Sequence, residues 1–236
     1  MGTNDGAEER RENAMGGARF EDERGGRWGI RALVRGGMGC AIVLAWAGCA
    51  LPEAQPDLTR YYVLTSGRAA VAEAAAASAG EERKVFLKAV NVPEFLRGKI
   101  VQVRLAENEV KYIDTARWAE PLEAGLGRVL RESLDRAEGG IEVVTRPMDA
   151  RDFDIVVQVR RCEGVVPDRM ARLEARVEIF SAGLESRRMA EEEFAIEVPG
   201  WDGSDYGELA AKLSEAAQSL GAKIGGMIAE VDQSGE

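Results

Sequence analysis

The sequence predicts an α/β domain, with a mixed, largely antiparallel sheet of seven or eight strands, two long amphipathic helices covering it, and a βαβ unit in the middle. Apolar and polar residues alternate in several runs between residues 60 and 198, and this period of two is typical of strands with one solvated face. Two longer segments, 120–137 and 205–231, repeat apolar residues at helical spacing. The chain has 236 residues, 45% of them hydrophobic, which is enough for one domain with a substantial core.

Residues 1–48 are predicted to be a leader that the mature protein lacks. Residues 1–26 are rich in Gly, Arg and Glu without apolar periodicity, so we interpret them as disordered. Arginines then precede an apolar run at 38–47, which is followed by Gly48 and Cys49. This order is typical of a secretory signal. The apolar run is too short for a membrane-spanning helix, which needs about 20 apolar residues. A translation start at Met15 would shorten the leader.

The four residues ending at Cys49 resemble a bacterial lipobox, in which the Cys is acylated and becomes the mature N-terminus. Ala47 and Gly48 fit that pattern, and the alternative is a buried helix with an incidental Cys. Ala50 follows the Cys instead of Asp, which by analogy with enterobacterial sorting favours the outer membrane. Cys162 is then the one cysteine left in the folded domain, so the sequence predicts no disulfide framework.

Composition excludes several classes of function. The net charge is −10, and an acidic domain without a basic cluster is a poor ligand for nucleic acid or for anionic lipid surfaces. The chain contains no His, which removes the commonest general base and the commonest zinc ligand. The glycines of residues 221–226 stand in the wrong order for a phosphate-binding loop.

The first half of the domain is predicted as a series of short elements that begins after a proline-containing tether at 49–59. An Ala-rich stretch within this half, 66–80, predicts a mobile loop or a marginal exposed helix. The other elements are strands at 60–64 and 83–90, a single helical turn that starts at Pro93, and a hairpin of 99–105 and 109–113 that turns near Asn108.

The second half begins with the helix 120–137, which has Pro121 at its first position and ends at a Gly pair. A strand, this helix and the next strand together span 109–145 and predict one parallel, right-handed βαβ pairing. The final helix closes a single domain of residues 60–231, and 232–236 should fray. The remaining predicted strands are 141–145, 153–162, 169–180 and 189–198.

Two groups of residues are candidates for a functional site. Trp118 stands just before the first helix, where it either packs as a hydrophobic staple on the first turn or joins Phe95 and Tyr112 in a partner-docking surface. The acidic run 191–193 suggests a metal site or a solvated acidic face. Neighbouring strand residues point to opposite faces, so at most Glu191 and Glu193 converge, which favours the solvated face. We therefore predict no metal and no cofactor.

Several motifs resemble the family of ABC-type transport auxiliary lipoproteins, and the resemblance extends over nearly the whole mature domain. Its most specific part is Arg-Trp-Ala-Glu-Pro-Leu at 117–122, at its distance from the Val-Pro pair at 92–93. The matching segments are 61–64, 92–97, 99–101, Asn108, Tyr112, 117–122, 209–210 and 213–216. The family-motif residues that could form a docking surface are Pro93, Phe95, Leu96, Arg97, Tyr112, Trp118, Glu120 and Pro121.

The resemblance implies a protein that is not an enzyme and has no cofactor. It implies a periplasm-facing lipoprotein, anchored to the outer membrane through Cys49, whose partners are an MCE-domain protein and an ABC permease/ATPase complex that move phospholipid or related lipids. The alternative is a periplasmic carrier that itself binds a lipid or apolar solute without a dedicated ABC partner. A hydrolase with a Ser-Lys or carboxylate mechanism is the third hypothesis.

Overall fold

A computed structural model describes residues 56–67, 83–137, 140–147 and 149–234. The predictions for the leader, for Cys49 and for most of the Ala-rich stretch lie outside these residues. Among the helices within these ranges, none has both the length and the apolar character needed to cross a membrane.

Eight strands form one mixed sheet, as the alternating runs predict. They are β1 (Arg60–Tyr62), β2 (Arg83–Asn91), β3 (Ile100–Ala106), β4 (Glu109–Trp118), β5 (Ile141–Val143), β6 (Phe153–Val165), β7 (Met170–Ser181) and β8 (Arg188–Pro199). A 3-10 turn, Glu94–Leu96, connects β2 to β3, and two α-helices complete the described residues: α1 (Leu122–Leu134) and α2 (Tyr206–Ser234).

The long strand β6 joins the two parts of the sheet. Along one edge it pairs in parallel first with β2 and then, near its end, with β3, while its other edge pairs antiparallel with β7. The order β1-β4-β3-β6-β2-β5 describes one path through the sheet, and β7 and β8 extend it from β6. The two longest pairings, β6 with β7 and β7 with β8, are antiparallel, but four shorter ones are parallel.

The predicted βαβ pairing is wrong, although a strand, a helix and a strand do follow one another there. β4 pairs antiparallel with β3 and parallel with β1, whereas β5 pairs with β2 at the other end of the path. After β4, the chain crosses the sheet through α1 and enters β5, which lies beside β2 and does not pair with β4. Helical periodicity predicts the crossover, but it carries no information on which strand receives it.

Both helices pack against the sheet and against each other. In α1, the predicted apolar stripe is buried, and Gly125 and Gly127 lie within an uninterrupted helix. Pro121 is the N-cap of α1 instead of its first residue. In α2, Gly221 lies so close to α1 that an added Cβ atom would stand 2.5 Å from Cβ of Ser133. The helix continues to Ser234, where fraying from residue 232 was predicted.

Candidate functional site

The predicted motif residues lie on the 3-10 turn, on β4 and at the start of α1, and they divide by exposure into two groups. Phe95 is 41% exposed and Tyr112 is 46% exposed, and Arg97 is exposed beside them. Leu96 and Trp118 are each 5% exposed. Pro93, Glu120 and Pro121 are intermediate in exposure.

The structure brings Phe95 and Tyr112 together. The hydroxyl of Tyr112 donates a hydrogen bond to the carbonyl oxygen of Phe95 at 3.4 Å, so the 3-10 turn lies against β4. The side chain of Leu96 packs in the hydrophobic core and anchors the turn there. On the exposed side of the turn, Arg97 forms an ion pair with Glu94 at 2.9 Å. Two exposed aromatic residues, Phe95 on the turn and Tyr112 on β4, therefore lie where the anchored turn meets the strand.

Trp118 is buried in the core and does not join these two aromatics at the surface. Its amide donates to the carbonyl of Lys99 at 2.6 Å, and its side chain belongs to the hydrophobic core with Leu122. Trp118, Pro121 and Leu122 line one narrow gap at the start of α1, which is the packing that the staple interpretation describes. An exposed docking surface therefore contains Phe95 and Tyr112 without Trp118.

Glu120 belongs to a set of side chains that hold the segment after β1. Arg128 donates to Glu120 at 2.6 Å and to the carbonyl of Leu64 at 2.7 Å. From α2, Gln218 donates to the carbonyl of Thr65 at 3.1 Å, and the amide of Thr65 donates to the hydroxyl of Ser214 at 2.9 Å. Groups from both helices thus fix residues 64–65, so the first strand is attached to the helical layer as well as to the sheet.

The acidic run on β8 is a set of ion pairs. Glu191 pairs with Arg176 and Arg188, and Glu193 accepts two hydrogen bonds from Arg160 at 2.6 and 2.9 Å. The guanidinium groups neutralise these carboxylates across neighbouring strands, which disfavours cation binding there. Within the described ranges, no three metal-ligating side chains are grouped as a metal site would require.

Three buried polar features escaped the sequence reasoning. Glu163 is completely buried and accepts hydrogen bonds from Arg104, one of them at 3.1 Å. Gln102 is 5% exposed, and its side-chain amide has no hydrogen-bond partner among the described residues. The indole of Trp201 is fully buried and donates to the carbonyl of Asp205 at 2.8 Å. An acidic residue inside the apolar run 162–166 is the one signal in the sequence that could have revealed the first of them.

Two open clefts bear on ligand binding. One, of about 500 Å³, lies between the first strand and the start of α2 and is lined by Leu58, Arg60, Tyr62 and Tyr206 among others. The other, of about 370 Å³, lies between β8 and the end of α2, where methionines meet glutamates. Ligand pockets of this size are usually concave and mainly apolar. Both clefts carry charged groups and open to solvent.

Comparison with known proteins identifies a matching family model and two solved structures with a similar fold. A family model described as the ABC-type transport auxiliary lipoprotein component matches residues 62–225. The crystal structure of an uncharacterized protein aligns with a TM-score of 0.59 and 19% identity, over 72% of this chain and 98% of the other. A Xanthomonas campestris protein of known crystal structure aligns with a TM-score of 0.57 and 18% identity, over 65% and 87%. At such identities these structures show a shared fold alone. No curated protein matches the chain.

Proposed function

Because this chain belongs to the family of ABC-type transport auxiliary lipoprotein components, we propose that it is a non-enzymatic accessory subunit of an MCE/ABC-type intermembrane lipid transport system. In this proposal it faces the periplasm and docks the transporter to the outer membrane. The family match over residues 62–225 is the observation that carries the proposal, because it spans nearly the whole folded domain. The partners are then an MCE-domain protein and an ABC permease/ATPase complex.

The anchor in this proposal is a fatty acyl group such as palmitate on Cys49. The sequence supports it through the apolar run and small residues that precede Cys49, and the family description supports a lipoprotein. An anchored adaptor gains from its tether, because confinement near the partner raises the local concentration without any new contact. A modest docking surface is then sufficient.

The docking surface in this proposal is the exposed part of the family motif, with Phe95 and Tyr112 at its centre and Pro93 and Arg97 beside them. Aromatic and Arg side chains are enriched among the residues that dominate binding energy at interfaces. The buried Leu96 and Trp118 and the partly buried Glu120 and Pro121 act indirectly in this proposal, because they hold the turn and the start of α1 in place.

Isolation of the native protein from membranes tests the proposal. The wild-type protein, extracted gently in its lipidated form, should retain an MCE-domain protein and a permease. Recovery of neither partner, from membranes that contain both, would refute the accessory role. Cys49→Ala tests the anchor separately, because it should abolish labelling by a fatty-acid probe and release the protein from the membrane fraction. Undiminished labelling would place the lipid elsewhere.

A second candidate function is a carrier for a lipid or apolar solute. The cleft of about 500 Å³ favours it, since Tyr62 and Tyr206 offer apolar ring surface beside the cationic Arg60, a combination suited to an amphiphile. Native mass spectrometry of the gently purified protein distinguishes the two functions. A stoichiometric bound lipid supports the carrier, whereas an empty protein that still retains the transporter subunits rules it out.

A further inference from the structure

We propose that the edge of the sheet formed by β1 and its neighbours rests on the lipid bilayer, through a membrane-contact patch consisting of Tyr61, Val63 and Ile100. This inference rests on the proposed lipidation of Cys49 and goes beyond it, because it assigns the orientation of the folded domain on the membrane. The docking surface at Phe95 and Tyr112 remains assigned to the transporter.

Strand register makes part of this patch continuous. Tyr61 of β1 and Ile100 of β3 are both paired with Arg117 of β4, one from each side. Residues in direct register on neighbouring strands project from the same face of a sheet. The side chains of Tyr61, Arg117 and Ile100 therefore form a row across three strands on one face.

Tyr61 and Ile100 project into solvent, whereas the guanidinium of Arg117 is hydrogen-bonded to the backbone of its own strand. Tyr61 is 66% exposed and Ile100 is 45% exposed. Arg117 is only half-buried, but its guanidinium donates to the carbonyls of Ile113 and Ala116 at 2.6 and 2.9 Å, which occupies it with its own strand. Val63, 43% exposed, follows Tyr61 by two residues and enlarges the apolar group.

The length of the tether brings the bilayer within reach of this edge of the sheet, which favours the bilayer as the occupant. Arg60, the first residue of β1, follows Cys49 by 11 residues. A fully extended chain of this length spans at most about 40 Å, since each residue adds about 3.3–3.6 Å. The acyl group would therefore keep β1 within about 40 Å of the membrane, near enough for the patch to contact lipid.

The membrane-contact patch is chemically better suited to a lipid interface than the charged surface of β7 and β8 is. Tyrosine rings are enriched at the level of lipid headgroups, where their apolar body and polar hydroxyl are both satisfied, and aliphatic side chains insert beside them. The opposite extension of the sheet, β7 and β8, presents Glu191 and Glu193 among arginines. The net charge of −10 disfavours charge attraction to an anionic bilayer, so we expect the contact to depend on the anchor.

Site-directed fluorescence on the lipidated mature protein tests this orientation. Tyr61→Cys carries an environment-sensitive label, and Leu184→Cys serves as the matched control, because Leu184 is an equally apolar and fully exposed residue in the β7–β8 turn. The β7–β8 turn adjoins the beginning of β6, whereas β3, which carries Ile100, pairs with the end of β6. The two label positions therefore lie towards opposite ends of β6. The native Cys162 is buried and should not compete for the label.

The labelled proteins are reconstituted into vesicles of phosphatidylethanolamine and phosphatidylglycerol that contain a lipid-attached quencher. We expect quenching at position 61 to exceed that at position 184 by about twofold or more, because an interfacial residue lies within reach of the acyl-chain boundary. Equal quenching at both positions, in protein that is attached to the vesicles, overturns the orientation and leaves the anchor intact.

Two further outcomes separate this inference from the proposed function. If the wild-type protein does not attach to the vesicles, or if Cys49→Ala attaches equally well, the proposed anchor is wrong and the inference fails with it. If position 61 becomes shielded only when an MCE-domain protein is added, the patch belongs to a protein partner, and the membrane assignment is overturned while the accessory role stands.

Discussion

Arg104 and Glu163 form an ion pair across the parallel strands β3 and β6, and the side chain of Glu163 is completely buried. The same guanidinium also donates to the carbonyl of Glu107 at 2.7 Å, in the turn between β3 and β4. Only two register pairs join β3 to β6 directly. The ion pair therefore strengthens a narrow connection between the long strands and the hairpin that carries Tyr112.

Arg104→Met is expected to lower the free energy of unfolding by about 3–5 kcal/mol, because it leaves the Glu163 carboxylate buried without a counter-charge. Chemical denaturation of the two proteins measures the difference. The double variant Arg104→Met/Glu163→Leu is the control, since replacing a buried ion pair by apolar residues is often neutral. A loss below about 1 kcal/mol in the single variant would show that the carboxylate finds another partner or solvent.

Gly164→Ala should destabilise the protein by about 1–3 kcal/mol through overpacking. A Cβ atom at this position would stand 2.7 Å from Cη2 of Trp201 and closer still to Cζ3 of the same ring, which is fully buried. Gly226→Ala is the matched control, because nothing lies within 4 Å of its added Cβ and helix propensity favours Ala by about 1 kcal/mol. Thermal unfolding should thus show opposite shifts, and equal shifts would contradict the packing argument.

The thiol of Cys162 is expected to be unreactive in the folded protein. Burial, reinforced by the neighbouring Glu163 carboxylate, raises the pKa of Cys162 from 9.0 to about 12. At pH 8, a thiol reagent should therefore modify it only after unfolding, and fast labelling of folded protein would contradict its burial. Because the folded pKa is the higher one, this group contributes stability fully below pH 9 and loses that contribution as the pH rises towards 12.

Phe95→Ala and Trp118→Ala should separate docking from folding. Phe95 is exposed, so its substitution should change stability by no more than about 0.5 kcal/mol. Trp118 is buried, and its loss should cost about 3–5 kcal/mol. If the proposed docking surface is right, Phe95→Ala should weaken retention of the transporter by about 30-fold, the equivalent of about 2 kcal/mol at an interface hot spot. Tyr112→Ala should act in the same direction, and unchanged retention in both variants would remove this surface from the interface.

Local patterns predicted the strands well where residues alternate in polarity. β7 and β8 begin and end within a residue of the predicted bounds. β7 alternates between buried and partly exposed residues along nearly its whole length, and β8 alternates from Phe194 to its end. β4 was predicted to end at Ile113 but continues to Trp118. Its alternation breaks at Asp114 and Thr115, which are both exposed, and pairing with β1 extends the strand beyond that irregularity.

The sequence by itself determined the family, the mixed α/β class, the number of strands and the two helical segments, because periodicity and motif spacing are properties of the chain. The tertiary structure alone decided which strands are neighbours, and it separated buried Trp118 from exposed Phe95 and Tyr112. It also placed Glu163 against Arg104. Burial and pairing depend on groups far apart in the chain, and a short-range pattern specifies which side of a strand is apolar without specifying what will cover it.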